Sequence, residues 1–168
     1  MDWPALFKTL GVCLVSILIE AASYTKSGKK WFEQLRQPRY SISLKGWYFV
    51  GTVYYILFGI IAYRQFRDQT NFFSAPIILL VLVMLLNGLG NFIIFIYRSI
   101  KWFYLVIYPF GLILLTLIIV LFRNDIISAA IALLYFFWLI YDLYYGYRLW
   151  KLNDKPTELK RADPLLKN

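Results

Sequence analysis

The sequence predicts an all-α membrane protein, a bundle of five transmembrane helices, and three observations lead to this prediction. Hydrophobic residues make up 61% of the 168 positions, whereas soluble domains are about 45–50% apolar. Mean hydropathy is +0.61, and the apolar residues fall into five runs close to the roughly 20 residues that a spanning helix needs. Most of the 18 lysine and arginine residues lie between or after these runs, as in membrane-protein loops.

Five spans account for most of the chain. They are predicted at about residues 5–23, 46–63, 76–97, 102–122 and 126–150. Together they form one domain over residues 1–153, and residues 154–168 are expected to be a basic, mobile cytoplasmic tail. The links after the second, third and fourth spans are short, so the helices that they join should be antiparallel neighbours. The first link, in contrast, is long and basic.

The first span also has features of a cleavable signal peptide. Asp2 precedes this span, however, and a cluster of basic residues follows it. A secretory signal has the opposite order of charges. We therefore expect the first span to be retained as a helix.

The basic residues predict the orientation of the chain. Fourteen of the 18 lysines and arginines lie on the side that holds the first link, the third link and the tail. Because positively charged loops stay in the cytoplasm, the tail is predicted inside and the N-terminus outside. The net charge of +9 then matches anionic lipid headgroups as a partner and not nucleic acid. Trp47, Trp102 and Trp150 lie at span ends, where interfacial tryptophans are common.

The residue inventory narrows the available chemistry. The chain has no histidine and a single cysteine, Cys13, inside an apolar run. It therefore lacks the commonest general base and metal ligand, and it cannot form a Ser-His-Asp or Cys-His site. We predict no catalytic residues, no metal site and no cofactor, which favours a protein that is not an enzyme.

Four polar side chains inside the spans require an explanation, because such groups are costly in a bilayer unless they are paired or hydrated. They are Glu20, Asn87, Asn91 and Asp142. Asn87 and Asn91 share a helix face, where an interhelical hydrogen-bond clamp and a ligand contact are the two alternatives. Asp142 is placed to pair with Arg148 or with a cation of another helix, and Glu20 lies near a span end, where it can reach water.

Aromatic residues form a stripe in the fifth span. The stripe follows the spacing i, i+3, i+4 and i+7 and consists of Trp138, Tyr141, Asp142 and Tyr145. Residues with this spacing lie on one face of a helix, and Tyr54 begins a similar stripe in the second span. Aromatic walls with a few polar groups suit a flat, mostly apolar ligand. Plain packing between helices is the alternative.

Longer sequence patterns resemble one known family. The patterns are WFxxLxQPxY at residues 31–40, GTVYYILFG at 51–59, Asn87 in the third span, LYFFWxxY at 134–141 and RLWKLN at 148–153. In order and spacing they resemble segments of the TspO/MBR family, the tryptophan-rich sensory proteins, also known as translocator proteins or peripheral-type benzodiazepine receptors. Tyr40, Tyr54 and Gly90 stand where that family usually has tryptophan, so the chain resembles a divergent member.

The resemblance implies a function as well as a fold. Members of the family bind porphyrins and, in animals, cholesterol and synthetic ligands, and they are often dimers. The expected partners are therefore a porphyrin or another hydrophobic small molecule, such as a sterol-like one, and a second copy of the chain. The expected role is that of a sensor, carrier or scavenger. Light-dependent porphyrin degradation is one alternative, although it depends on pocket tryptophans, and a ligand-free accessory subunit is another.

The resemblance also implies a pocket inside the bundle, under the first link. We expect it between spans one, two, three and five. Its predicted ligand-binding residues are Tyr54, Asn87, Asn91, Trp138, Tyr141 and Asp142. The first link is expected to form a structured lid over residues 31–40, in which Pro38 fixes the backbone. Its apolar anchors are Trp31, Phe32, Leu35 and Tyr40.

Overall fold

The computed structural model describes residues 2–69 and 71–154. This part of the chain folds into six helices, α1 (Trp3–Ser23), α2 (Lys26–Glu33), α3 (Leu44–Asp68), α4 (Ala75–Phe95), α5 (Ile100–Asn124) and α6 (Ile126–Asn153). The predicted tail, apart from Asp154, lies outside the described residues.

Five of the six helices, all except α2, are long and apolar enough to cross a membrane. The prediction of an all-α bundle with five spans is therefore confirmed, but the described chain has one helix more than predicted. The additional helix, α2, lies in the first link and has only eight residues, too few to span a bilayer. Thr25 caps its start, because the Thr25 side chain accepts a hydrogen bond from the Gly28 amide at 3.0 Å.

The helix ends differ from the predicted span ends where the sequence becomes polar. The largest difference is in α3, which continues to Asp68, because a helix can extend past the apolar stretch that a hydropathy profile detects. In contrast, α4 ends at Phe95, earlier than predicted. The chain then turns at Arg98, whose φ is 52°, and Ser99 caps the start of α5.

The five spanning helices form a closed ring in the order α1, α4, α5, α6, α3. As predicted, α5 packs extensively on both α4 and α6. The short second link also predicts α3 and α4 as neighbours. They do touch, but α3 and α4 each pack more extensively on α1 than on one another. Gly88 permits the close approach of α1 to α4, since a Cβ at this position would lie 2.9 Å from the Ile19 side chain.

One half of the bundle is solid and the other half is hollow. The solid half contains the start of α1, the end of α3 and the junction of α5 with α6. Its centre consists of apolar side chains with no exposed surface, namely Phe58, Ile61, Leu80, Met84, Leu114, Leu117 and Leu121. The hollow half lies beside α2 and encloses a cavity. In the predicted orientation, the hollow half faces the cytoplasm.

A cluster of polar side chains joins α3 to the start of α6 at the solid end of the bundle. Arg64 donates two hydrogen bonds to the Asp125 carboxylate, from Nε at 2.8 Å and from Nη2 at 2.7 Å. Ser128 donates a third, at 2.6 Å. Asp125 also caps α6, and only 7% of its side chain is exposed. The Arg64 guanidinium holds the pKa of the Asp125 carboxyl well below its usual range.

Asp125→Asn should destabilise the protein by about 2 kcal/mol, a value between those of surface and buried ion pairs. Folding lowers the pKa of Asp125. The stability that the ionised Asp125 carboxylate gives to the protein is therefore complete above the unfolded-state pKa of about 3.9, and it is lost as the pH falls toward the folded-state pKa. Thermal unfolding in detergent should separate variant from wild type at about pH 7, and the difference should shrink progressively as the pH falls below about 4.

The matched control for this experiment is Asp68→Asn. The Asp68 carboxylate also pairs with an arginine, Arg67, but both side chains are 44% exposed. Such exposed pairs contribute little, so this variant should unfold almost as the wild type does. Equal stabilities of wild type and Asp125→Asn at neutral pH would show that the Arg64 pair does not fasten this end of the bundle.

Candidate functional site

The cavity in the hollow half has an empty volume of about 910 Å³, part of it open to solvent. All five spanning helices and α2 contribute to its wall. We had not expected a contribution from the fourth span, but α5 supplies Phe103, Val106, Ile107 and Phe110. The reason is the ring arrangement, in which α5 lies between α4 and α6 and so faces the same interior.

Five of the six predicted ligand-binding residues line this cavity, namely Tyr54, Asn87, Asn91, Trp138 and Asp142. Their role in binding remains a prediction. Tyr141 does not line the cavity, because at about 100° of rotation per residue it lies beside the α6 face that carries Trp138 and Asp142. Its hydroxyl instead donates a hydrogen bond to the Tyr40 carbonyl at 2.8 Å.

Aromatic rings from α3 and α6 form one wall of the cavity. Tyr54 is 2% exposed, and its ring centroid lies 4.9 Å from that of Tyr135. Trp47 and Trp138 meet edge to face with their centroids 6.1 Å apart, and Tyr145 lies 4.9 Å from Trp47. A wall of this kind offers flat apolar surfaces to a ligand ring.

A few polar side chains interrupt the aromatic wall. Asn91 donates from Nδ2 to the Asn87 carbonyl at 3.3 Å. This bond lies within α4, so it is not the interhelical clamp considered from the sequence. Glu20 of α1 accepts hydrogen bonds from the hydroxyls of Tyr55 at 2.7 Å and Tyr24 at 3.4 Å. The Glu20 carboxylate is therefore held by neighbouring phenols.

Three buried polar atoms on cavity residues have no hydrogen-bond partner within the described part of the chain. They are the Tyr54 hydroxyl, Trp47 Nε1 and Asp142 Oδ1. The ion pair between Asp142 and Arg148 that the sequence suggested is not among the ion pairs of the described residues. Buried polar groups are normally hydrogen-bonded, so a ligand with polar groups would gain hydrogen bonds at these atoms.

The first link is attached along the end of α6. Asn153 donates from Nδ2 to the Arg36 carbonyl at 3.1 Å and accepts from the Arg36 amide at 3.0 Å. The Tyr145 hydroxyl donates to Gln37 Oε1 at 3.0 Å. Together with the bond from Tyr141 to Tyr40, these contacts attach residues 36–40 to the last turns of α6.

Of the residues predicted for the lid, Trp31, Pro38 and Tyr40 lie on this link but do not line the cavity. Pro38 is buried and Trp31 is half-buried, whereas Tyr40 is 64% exposed. Phe32 of α2 lines the cavity instead, and its ring lies 5.4 Å from that of Phe95. Phe32, one of the predicted anchors of the first link, is thus an α2 side chain that reaches the cavity wall.

Glu20 and Trp47 line the cavity although the sequence analysis did not assign them to the site. Glu20 carried a signal, because a carboxylate in an apolar run is costly, but we interpreted it as reaching water. Trp47 does lie at the start of α3, where we expected an interfacial tryptophan, yet its ring also lines the cavity. Sequence position alone could not separate an outward-facing tryptophan at a helix end from an inward-facing one.

Comparison with known protein families identifies the family of this chain. A family model described as the TspO/MBR family matches residues 9–151. This segment includes α2 to α5 completely and most of α1 and α6. A comparison with curated proteins gave no match.

Proposed function

Because this chain belongs to the TspO/MBR family, we propose that it binds a flat hydrophobic molecule inside its helix bundle. The chain is a multi-pass integral membrane protein. The ligand class that we propose first is the tetrapyrroles, and sterol-like molecules are second. In this role the protein is a sensor, carrier or scavenger of its ligand.

The observation that carries the proposal is the composition of the cavity wall. Ligand sites are typically concave and mostly apolar, with a few polar groups that orient the ligand. The lining of this cavity includes the aromatic side chains of Trp47, Tyr54, Trp138 and Tyr145. Flat ligands stack on such rings, which supports a tetrapyrrole more than a compact polar ligand.

Titration of the detergent-solubilised protein with a porphyrin tests this proposal. We expect saturable binding, followed through the shift of the porphyrin absorbance band. Trp138→Ala should weaken binding by about 1–3 kcal/mol, the scale of burying one large apolar side chain, or roughly 5- to 150-fold. Trp102→Ala is the control, since Trp102 is 64% exposed and does not line the cavity.

The proposal fails if no saturable binding occurs. It also fails if Trp138→Ala and Trp102→Ala bind the porphyrin with equal affinity while both remain folded. The first result would support the alternative of an accessory membrane subunit without a ligand. The second would mean that porphyrin binds elsewhere, for example on the lipid-facing surface.

Light-dependent porphyrin degradation is a second candidate function. The observation that favours it is the pair of indoles, Trp47 and Trp138, that line the cavity 6.1 Å apart. The observation against it is Tyr54, which stands where the resemblance gives a tryptophan. Illumination of the porphyrin complex should form product if this function is correct, and Tyr54→Trp should then accelerate product formation.

The orientation and the assembly of the protein are also proposals. The distribution of Lys and Arg supports a cytoplasmic C-terminus and an external N-terminus. Alkaline phosphatase fused after Asn153 should then be inactive, because this enzyme folds only outside the cytoplasm. Homodimer formation is proposed from the family alone, and mass measurement of the detergent complex tests it.

A further inference from the structure

The charge inside the cavity is opposite to that of the whole protein. The chain has a net charge of +9, yet the cavity lining contains two carboxylates, Glu20 and Asp142, and neither lysine nor arginine among the described residues. The basic residues nearest in sequence belong to the first link and to helix ends. A ligand group inside the cavity can therefore contact carboxyl side chains of the lining but no lysine or arginine of the described lining.

The two carboxylates differ in the hydrogen bonds that they accept. Glu20 accepts hydrogen bonds at both oxygens, from Tyr55 and Tyr24. Asp142 has a buried oxygen, Oδ1, without a hydrogen-bond partner in the described part of the chain. A buried carboxylate is costly unless a cation or hydrogen-bond donors compensate for it. A ligand that bonds to Asp142 would therefore compensate for more of the cost of burial than one that bonds to Glu20.

The aromatic rings around Asp142 favour the same kind of ligand. Trp138 lies one helical turn before Asp142, and Trp47 and Tyr145 line the cavity beside Trp138. The faces of Trp and Tyr rings attract cations, and aromatic cages are used to bind ammonium groups. The Tyr54 hydroxyl, on a side chain that is 2% exposed, is a further polar group on this wall without a hydrogen-bond partner among the described residues.

We propose that the cavity selects flat hydrophobic ligands that carry a positively charged amine or quaternary ammonium group, with Asp142 as its counter-ion. This inference rests on the proposed function, because it assumes that a ligand enters the cavity. It differs from that proposal in the charge of the ligand. A ligand whose side groups are carboxylates would place like charges near Asp142, which opposes binding.

Three porphyrins with the same ring and different side groups test the inference. The side groups are quaternary ammonium, neutral ester and carboxylate, and a non-ionic detergent removes attraction to charged lipid. Wild-type protein should bind the ammonium porphyrin about tenfold more tightly than the ester, which corresponds to about 1.4 kcal/mol. The carboxylate form should bind most weakly. Asp142→Asn should lower the ratio of ammonium to ester affinity by about tenfold.

Glu20→Gln is the matched variant, because Glu20 is the other carboxylate of the cavity and its oxygens are already occupied. It should lower the same affinity ratio less than Asp142→Asn does. If Asp142→Asn does not fold, the wild-type ligand series still decides the selectivity, and Asp142→Glu, which keeps the charge, should retain it.

The possible outcomes separate the two proposals. If none of the three porphyrins binds, the proposed function fails. If the ester binds and the carboxylate form binds more tightly than the ammonium form, the proposed function stands and the charge inference is overturned. Tighter binding of the carboxylate form would mean that its acidic groups reach the basic first link. An unchanged affinity ratio in Asp142→Asn would overturn the assignment of Asp142 as counter-ion.

Discussion

Gly51→Phe should reduce porphyrin affinity by about 100-fold while leaving the helix bundle folded. Gly51 lines the cavity from α3, and a Cβ added there would have only one close neighbour, Glu20 Oε1 at 3.7 Å. The new ring would therefore enter the cavity and occupy space that a ligand needs. Burying one large apolar group is worth up to about 3 kcal/mol. Loss of that much binding free energy corresponds to the expected change in affinity.

Gly11→Phe is the control for this substitution. Apart from the adjoining residues and backbone of α1, a Cβ at Gly11 would meet no described heavy atom within 4 Å, so the position is open space on the outer side of α1. The two variants add the same side chain to a spanning helix, but only one adds it to the cavity. Porphyrin affinity should be unchanged in Gly11→Phe. Equal affinity in Gly51→Phe and wild type, with both helical and monodisperse, would place the ligand outside the cavity.

Gly28→Ala should release α2 from the bundle. Gly28 is buried in α2, and a Cβ there would collide with the backbone carbonyl of Phe95, at the end of α4. Backbone atoms cannot move aside as a side-chain end can, and overpacking of this kind costs about 1–3 kcal/mol. Amide exchange in residues 26–40 should accelerate by roughly 5- to 150-fold, as expected for local opening.

The effect of Gly28→Ala on the ligand follows from the position of Phe32. Because Phe32 lines the cavity from α2, undocking of α2 should open the cavity and speed up porphyrin dissociation. Gly11→Ala is the control, since it adds the same methyl group in open space and leaves the first link untouched. Unchanged amide exchange in residues 26–40 of Gly28→Ala would mean that α2 does not cover the cavity through this contact.

The sequence predicted the spanning helices well because their signal is physical and local. Runs of about 20 apolar residues have one stable arrangement in a bilayer, and each predicted span corresponds to one helix. The helix α2 was not predicted, because it is short and amphipathic and is held by contacts such as that of Gly28 with Phe95. Those contacts join residues far apart in the chain, which hydropathy does not describe.

The cavity was predicted only in part. Asn87, Asn91 and Asp142 stood out because polar groups in a bilayer are costly. The contribution of α5 depends on the order of helices in the ring, in which α1 packs between α3 and α4. That order is not encoded in any single segment, and short links suggested a different one. The inward direction of Trp47 was missed for another reason, because a tryptophan at a helix end can face either the membrane interface or the bundle interior.

The most direct test of ligand binding in the cavity is purification from the native membrane, followed by mass spectrometry of bound small molecules. Wild-type protein should release a flat aromatic molecule with a basic group, in an amount comparable to that of the protein. Gly51→Phe, purified in parallel, should release little of it, whereas Gly11→Phe should release as much as wild type. Recovery of the same molecules in equal amounts from wild type and Gly51→Phe, or of membrane lipids alone from all three, would contradict the cavity as the binding site.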